Sequence, residues 1–218
     1  MVGEPDNDPP LSSQHLSTIS RHTIAHYDEN AADFWEGTKD HDVRQNTEAL
    51  LTNMSGPGPY CILDFGCGPG RDLMHFTALG HKAVGLDGSA ELVALARQNS
   101  GCDVLHQDFL ATDLPPSTFD GVFANASLFH VPSQELPRLL QELWETLKPG
   151  GILFSSNPRG NNQEGWNGTR YGTYHSLEAW RGYISDAGFE ELTHYYRPEG
   201  RPREEQPWLA VVANKVPR

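Results

Sequence analysis

The sequence is short of cysteine, of positive charge and of long apolar runs. Its three cysteines form no even disulfide framework and have no zinc-binding spacing, which favours a reducing compartment. Sixteen Lys and Arg against 29 Asp and Glu give a formal net charge of −13 and no basic surface for a nucleic-acid partner. No stretch approaches the ~20 apolar residues of a membrane span, and no signal-peptide pattern opens the chain. We therefore predict a cytoplasmic protein without nucleic-acid or membrane partners.

One glycine-rich stretch organises the remaining sequence. A short apolar run ends at Asp64, the pattern D-x-G-x-G-x-G continues to Gly70, and residues with helical spacing follow. A strand, a tight turn and a helix in this order are typical of nucleotide-binding α/β folds, where glycines allow close approach of the backbone to a ligand. A dinucleotide fingerprint needs a third glycine where Arg71 stands, which disfavours a Rossmann oxidoreductase. An ordinary glycine turn is the alternative.

Polar side chains follow the later predicted strands, at the ends that face a ligand in open α/β sheets. Asp87 ends the second strand and is predicted to bond ribose hydroxyls, although a helix-capping acid is the alternative. Asp108 ends the third strand, where a solvated loop acid is the alternative. Asn125 and Ser127 follow the fourth strand and are predicted to lie near the nucleotide. His130 is predicted near a second substrate, with a capping or loop-bonded histidine as the alternative.

Residues 156–175 have no regular hydrophobic period and follow the predicted fifth strand on the ligand side. We predict an irregular loop that binds substrate, because long ordered loops in compact domains are usually functional. Its planar, amide and guanidinium side chains suit ring stacking and bidentate carboxylate recognition. These side chains are Asn157, Arg159, Trp166, Arg170, Tyr171 and Tyr174. A surface loop with solvated arginines is the alternative.

The N-terminal part divides into a tail and a helical segment. Residues 1–20 are polar and contain prolines, which predicts a disordered tail. Residues 21–218 are predicted to form a single domain, in which residues 21–55 contain two helices broken near Gly37. Tyr27 lies on the first of these helices, where ligand contact and core packing are both open.

The D-x-G-x-G-x-G pattern and the L-K-P-G-G turn at residues 147–151 resemble the class I S-adenosylmethionine (SAM) methyltransferases. The resemblance implies a Rossmann-like α/β fold with a seven-stranded, mostly parallel sheet, helices on both faces, an antiparallel last strand and an N-terminal helical lid. It implies SAM as the cofactor, S-adenosylhomocysteine as its product, and no metal. Asp108 would face the adenine amine. The cofactor-binding residues that it implies are Asp64, Gly66, Cys67, Gly68, Asp87, Gly88, Ser89, Gln107, Asp108, Phe109, Asn125 and Ser127.

Three stretches resemble more closely the methyltransferase domain of the ovothiol biosynthesis enzyme. They are residues 41–46 (HDVRQN), residues 156–167 (SNPRG through EGWN), and residues 195–198 with 206–209 (YYRP with QPWL). The resemblance implies methyl transfer to an imidazole nitrogen of the small molecule 5-thiohistidine, which gives ovothiol A, and a separate sulfoxide synthase in the same pathway. Candidate catalytic residues that orient the acceptor are Tyr27, His130 and Asn157. Candidate substrate-binding residues are these three together with Arg159, Trp166, Arg170, Tyr171 and Tyr174.

Two other functions share the same core motifs. A methyltransferase for another small amine or carboxylate would differ only in residues 156–175. A non-catalytic SAM-binding protein would carry the same cofactor motifs without turning over an acceptor. Detection of a methylated product separates the second alternative from the first.

Overall fold

One mixed sheet covered by helices forms the centre of the computed structural model, which describes residues 10–217. The helices are α1 (Ser13–Glu29), α2 (Ala31–Thr38), α3 (Arg44–Leu51), α4 (Arg71–Ala78), α5 (Ala90–Ser100), α6 (Leu136–Thr146) and α7 (Leu177–Asp186). The strands are β1 (Cys61–Phe65), β2 (Lys82–Asp87), β3 (Asp103–His106), β4 (Phe119–Asn125), β5 (Leu147–Pro158), β6 (Gln163–Asn167), β7 (Arg170–Tyr174), β8 (Phe189–Arg197) and β9 (Trp208–Lys215).

The large sheet has seven strands in the order β3-β2-β1-β4-β5-β9-β8. The first five strands are parallel, whereas β9 runs antiparallel to both β5 and β8. The strand order reverses at β1, which has β2 on one side and β4 on the other. Such a switch point opens a crevice at the carboxyl ends of the strands, where open α/β sheets bind ligands. The predicted fold class is confirmed.

Both faces of the sheet are buried, so its central strands alternate between two hydrophobic cores. On β4, Val122 and Ala124 face the core that contains α6 and α7, whereas Phe123 faces the opposite core. There the rings of Phe123 and Phe154 stack with their centroids 4.9 Å apart. Burial of such a side chain contributes roughly 1.5–3 kcal/mol. Packing on both faces therefore holds the carboxyl ends of β1, β2 and β4 in fixed positions.

Local sequence signals set several helix boundaries. The hydroxyl of Ser89 accepts the N–H of Leu92 at 3.1 Å and caps α5. Pro137 lies in the first turn of α6, where its missing N–H leaves no broken helical bond. No helix within residues 10–217 combines the length and the apolar character needed to cross a membrane.

The N-terminal segment becomes helical earlier than we predicted. The hydroxyl of Ser12 accepts the N–H of His15 and starts α1 at Ser13, and Ile19 is buried. The predicted disordered tail is therefore wrong from Ser13 onward, and residues 1–9 lie outside the described residues. Three helices, rather than two, fill the predicted lid segment, and Gly37 lies within α2 instead of breaking a helix.

The predicted irregular loop at residues 156–175 is a strand end followed by a β-hairpin. β5 continues to Pro158, and β6 pairs antiparallel with β7 from Gln163↔Tyr174 to Asn167↔Arg170. The sequence pattern does not predict the hairpin, because β6 is largely exposed and its polar residues do not alternate with apolar ones. β7 packs on α1, where the N–H of Tyr171 donates to the Thr23 hydroxyl at 3.1 Å.

Candidate cofactor and substrate site

A cavity of about 620 Å³ opens at the carboxyl ends of the parallel strands. This volume lies within the roughly 300–1,000 Å³ that is usual for small-ligand pockets. One part of the wall, the strand-end half, consists of segments that follow β1 to β4, namely residues 66–69, 87–89, 108–110 and 125–127. A second part, the aromatic half, comes from distant segments and consists of Tyr27, Phe34, residues 41–43, Phe129, His130, Arg170, Arg197, Pro198 and Trp208. The rest of the wall comes from α1, α2, the first turns of α4 and α5, Pro132 and Ser156.

The glycine turn after β1 forms a cradle in the strand-end half. Gly66 has a φ of +77°, and a Cβ built there would lie 2.3 Å from Cβ of Ser127. The N–H groups of Gly66 and Cys67 donate to the carbonyl of Leu86 at 2.8 and 3.0 Å, which ties the turn to β2. Only glycine fits this position, so the turn brings backbone rather than side chain to the cavity.

Asp87 lies at the end of β2 and holds the neighbouring turns together. Its carboxylate oxygens accept the N–H of Gly68 and the N–H of Ser89, each at 2.9 Å. Burial raises the pKa of this carboxyl to about 6, although the backbone hydrogen bonds act in the opposite direction. The alternative role of Asp87, as an acid at a helix start, is thus present in the geometry. The carboxylate also lines the cavity, where its remaining lone pairs can accept ligand hydroxyls.

Asp64 lies beneath the cavity wall instead of on it. Its side chain is buried, and its Oδ2 has no hydrogen-bond partner among the described residues. Burial raises the pKa of Asp64 well above its usual value, and the nearby carboxylate of Asp72 adds to this. An unpartnered buried carboxyl is costly unless a donor or a positive charge compensates it. Asp64 is therefore suited to a cationic ligand bound above the glycine turn.

The end of β3 supplies an acid and an aromatic ring to the wall. Oδ1 of Asp108 accepts the N–H of Leu110 at 2.9 Å, and its Oδ2 accepts the hydroxyl of Ser20 on α1. The ring of Phe109 packs on Phe65, with centroids 4.5 Å apart. The acid and the ring are therefore fixed in position at the cavity.

A polar network joins the end of β4 to the helices above it. Nδ2 of Asn46 donates to Oδ1 of Asn125 at 2.9 Å, and the Tyr195 hydroxyl donates to Oδ1 of Asn46 at 2.9 Å. Nδ2 of Asn125 approaches Asp72 at 3.4 Å, and Arg71 binds both oxygens of Asp72 at 2.8 Å. The amide of Asn125 is thus held by side chains from α3 and α4.

Tyr27 and His130 form a hydrogen-bonded pair in the aromatic half. Nδ1 of His130 lies 2.7 Å from the carbonyl of Tyr171, which can only accept, so Nδ1 carries the proton. Nε2 is then an acceptor for the Tyr27 hydroxyl at 2.8 Å. Burial lowers the pKa of His130 to about 4, so this imidazole is neutral at neutral pH. Arg170 lies 3.4 Å from the same hydroxyl.

Aromatic rings continue from this pair along the wall. The ring of His130 lies 3.9 Å from that of Phe129, and Phe129 lies 6.5 Å from Trp208. On the other side, Tyr27 meets Phe34 edge to face at 5.4 Å. A flat ligand between these rings would be desolvated and stacked.

Part of the sequence matches a family of known enzymes. Residues 62–151 match the family described as a methyltransferase domain. The chain is 28% identical over 146 residues to malonyl-[acyl-carrier protein] O-methyltransferase from Enterobacter lignolyticus, covering 66% of this chain and 54% of that protein. It is 35% identical over 118 residues to an 18S rRNA (guanine-N(7))-methyltransferase from Schizosaccharomyces pombe, covering 48% of this chain and 44% of that protein. The chain spans about half the length of these curated relatives.

A solved structure extends the likeness to almost the whole chain. It is the 1,6-didemethyltoxoflavin-N1-methyltransferase of Burkholderia thailandensis, with bound 1,6-didemethyltoxoflavin and S-adenosylhomocysteine. The TM-score is 0.76 at 20% identity, over 98% of this chain and 94% of the other. The chain has the class I SAM-dependent methyltransferase fold. The matches support a SAM-dependent methyltransferase, and the proteins matched act on different acceptors.

Most of the cofactor residues predicted for a methyltransferase line the cavity. The exceptions are Asp64, which lies below the wall, and Gln107, whose side-chain amide bonds the backbone of Asp113. The resemblance implies Gln107 as a cofactor residue directly after β3, but its side chain bonds the following loop instead. Arg71 and Asp72 line the cavity and were missed, because both follow the glycine pattern as ordinary helix residues. Within residues 10–217, no group of three or more metal-ligating side chains is placed to hold a metal.

Three of the predicted substrate residues line the cavity, and the others do not. Tyr27, His130 and Arg170 face it. Asn157 instead faces a separate small pocket beside His175, and its buried Oδ1 has no partner among the described residues. The side chain at this strand position turns toward Trp180 of α7 and away from the cavity.

The remaining predicted substrate residues support the aromatic half from outside. Nε of Arg159 donates to the carbonyl of Gln206 at 2.7 Å, so its guanidinium braces the connection before β9. Trp166 is 49% exposed on the hairpin. Tyr171 is buried, and it contacts His130 through its backbone carbonyl, which accepts from Nδ1. Tyr174 packs near Phe129 without reaching the cavity wall, with ring centroids 6.4 Å apart. The hairpin pairing decides the directions of Trp166, Tyr171 and Tyr174, which an irregular loop would have left open.

The sequence signal for the missed residues was present but was not assigned to the site. Asp42, Arg197 and Trp208 belong to the stretches that resemble the ovothiol methyltransferase domain, and all three line the aromatic half. These stretches also contact each other, since Nη2 of Arg197 approaches the carbonyl of Asp42 at 3.3 Å. The segment at residues 41–46 and the neighbouring segments at residues 195–198 and 206–209 therefore meet at one wall.

Proposed function

We propose that this protein transfers the methyl group of SAM to an imidazole nitrogen of 5-thiohistidine, giving ovothiol A. The observation that carries the proposal is the meeting of the stretches at residues 41–46, 195–198 and 206–209 around the aromatic half. Those stretches resemble the ovothiol methyltransferase domain, as does the stretch at residues 156–167, of which only Ser156 lines the cavity. The same pathway would need a separate sulfoxide synthase to supply the sulfur of the acceptor.

The residues of the strand-end half fit SAM. The cradle at Gly66 has no room for a side chain, and the unpartnered carboxyl of Asp64 suits the positive charges of SAM. Asp87 would accept the ribose hydroxyls, and Asp108 with Phe109 would hold the adenine. When bound, SAM supplies a methyl group that its sulfonium already activates for displacement.

The residues of the aromatic half suit a flat acceptor that needs orientation more than deprotonation. A neutral imidazole nitrogen is nucleophilic near neutral pH, because the free ring has a pKa of about 6.5. The pKa of about 4 makes His130 a weak base, and both of its ring nitrogens are engaged by Tyr171 and Tyr27. We therefore assign His130 to fixing the Tyr27 hydroxyl, whose oxygen can accept a hydrogen bond from an N–H of the acceptor ring. The rings of Phe129 and Trp208 would exclude water and hold the ring in line for attack.

The experiment is to incubate the protein with SAM and each of 5-thiohistidine, histidine and a panel of small amines. Mass spectrometry should find one methyl group added to 5-thiohistidine, and NMR should place it on a ring nitrogen. Methylation on sulfur, or equal turnover of histidine, would contradict the acceptor while leaving a methyltransferase. Binding of S-adenosylhomocysteine without any methylated product would indicate the non-catalytic alternative.

A further inference from the structure

Two arginines of the aromatic half have no carboxylate partner. Arg170 and Arg197 both line the cavity, and no Asp or Glu within residues 10–217 forms an ion pair with either. The carboxylate of Asp42 is near Arg197, but Arg44 binds both of its oxygens at 3.0 and 2.6 Å. A partly buried guanidinium without an anion is a ready partner for a ligand carboxylate.

The two halves of the cavity differ in charge. The strand-end half contains Asp87 and Asp108, neither of which forms an ion pair among the described residues. The aromatic half contains the two unpaired cations, in a chain whose formal net charge is −13. A cationic ligand therefore fits one half and an anionic ligand the other.

The two arginines stand at different ends of the aromatic wall. Arg170 lies beside Tyr27, with its guanidinium 5.9 Å from the ring centroid and 3.4 Å from the hydroxyl. Arg197 is the strand partner of Trp208, at the far end of the row of rings. Among the described residues, the Arg197 guanidinium forms one hydrogen bond, to the carbonyl of Asp42 at 3.3 Å, so its other N–H groups are available to a ligand.

We propose that the acceptor is a planar molecule with a carboxylate, and that Arg197 binds this carboxylate while Arg170 stays at the ring end beside Tyr27. The inference rests on the proposed methyltransferase function. It adds the charge of the acceptor and the residue that binds the charged group. Arg197 takes the carboxylate-binding role for which the sequence suggested Arg159. The guanidinium of Arg159 instead donates to loop carbonyls outside the cavity.

The test uses pairs of acceptors that differ only in charge: 5-thiohistidine with its carboxamide, and 4-imidazoleacetate with its amide. In the unaltered protein, the carboxylate member should have a KM roughly 10- to 100-fold below that of the amide. Arg197→Gln should raise the KM of the carboxylate acceptor to that of the amide and leave the KM of the amide nearly unchanged. The substitution in the protein and the change from carboxylate to amide remove the same interaction, so their effects do not add. Arg197→Lys should restore part of the difference.

Matched variants separate this role from a structural one. Arg159→Gln should leave the preference for the carboxylate intact, and Arg170→Gln should slow both members of a pair alike. Equal KM values for carboxylate and amide in the unaltered protein, or an equal loss for both in Arg197→Gln, would overturn the proposal.

Binding measurements distinguish failure of this inference from failure of the proposed function. If S-adenosylhomocysteine does not bind, the proposed function fails. If it binds but no pair is turned over, calorimetry on the S-adenosylhomocysteine-loaded protein should still show tighter binding of the carboxylate members. Equal or absent binding of both members would overturn the assignment of Arg197.

Discussion

The strand-end half and the aromatic half of the cavity are assembled in different ways. The strand-end half uses residues directly after β1, β2, β3 and β4, whose positions follow from the order of the sheet. The aromatic half combines α1, the segment at 41–43, one strand of a hairpin and the ends of β8 and β9. The first is a property of the fold, shared with proteins that act on different acceptors, whereas the second is where an acceptor preference can be encoded.

The largest effect should come from closing the cradle of the strand-end half. In Gly66→Ala the new Cβ would lie 2.3 Å from Ser127 at a φ of +77°, so the turn must shift. We expect a loss of roughly 2–4 kcal/mol of stability and on the order of 100-fold in affinity for S-adenosylhomocysteine. Thermal unfolding and calorimetry measure the two effects. Gly80→Ala is the control, since φ there is +85° with nothing within 4 Å; equal losses in both variants would argue against a cradle.

Removing the acid after β2 should weaken the cofactor and spare the acceptor. Asp87→Ala should cost roughly 1.5–3 kcal/mol of SAM affinity, the range for a charged hydrogen-bond acceptor lost from a site. Calorimetry measures it, with Asp103→Ala at the exposed start of β3 as the control. An unchanged SAM affinity would remove Asp87 from the ribose and leave it as the acid that bonds Gly68 and Ser89.

Cofactor binding should depend on pH through the same group. The pKa of Asp87 is raised to about 6, so below pH 6 the free site is mostly protonated and cannot accept ligand hydroxyls with its full charge. Affinity for SAM should therefore fall as the pH drops below 6, approaching tenfold per pH unit, and binding near pH 6 should release protons. Titrations in two buffers with different ionisation enthalpies measure the release, and Asp87→Asn should flatten the slope. Proton uptake on binding would contradict this sign.

Removing the Tyr27 hydroxyl of the aromatic half should have a smaller effect, on turnover and not on cofactor binding. Tyr27→Phe removes the hydroxyl that bonds His130, and we expect roughly a 2- to 10-fold lower kcat with unchanged affinity for S-adenosylhomocysteine. Because the pKa of His130 is lowered to about 4, the pH–rate profile should show no acid limb near 6.5 from this histidine. Tyr60→Phe, which loses only a bond to the Gly56 carbonyl, is the control. A weaker affinity for S-adenosylhomocysteine in Tyr27→Phe would place the hydroxyl on the cofactor instead.

The smallest effect is expected at the hairpin surface. Trp166 is 49% exposed, and within residues 10–217 its aromatic neighbours are His22 and Tyr171. Trp166→Ala should therefore change the acceptor KM by less than about twofold. Steady-state kinetics measure this. A large rise in KM would show that the hairpin approaches the acceptor more closely during turnover than it does here.

The sequence alone determined the strand-end half, because its signals are local. The apolar run before Asp64, the glycine pattern and the polar residues after each strand lie within a few positions of the elements they end. In a parallel sheet those ends meet at one edge, so strand order is enough to bring Asp87, Asp108 and Asn125 together. Gln107 shows the limit of this reasoning, since adjacency to a strand end does not fix the direction of a side chain.

Only the tertiary structure decided the aromatic half, because its residues meet through pairings between distant segments. Arg159 follows β5 and Arg197 ends β8, so the two look alike in sequence, but the side chain of Arg159 turns to the carbonyl of Gln206 and that of Arg197 to the cavity. The antiparallel register that sets Arg197 opposite Trp208, and Pro158 opposite the same residue, fixes these directions. Burial of Ile19 and the hydrogen bond between Thr23 and Tyr171 likewise seat α1 over the cavity. Such contacts depend on packing and register, which no local pattern in the chain encodes.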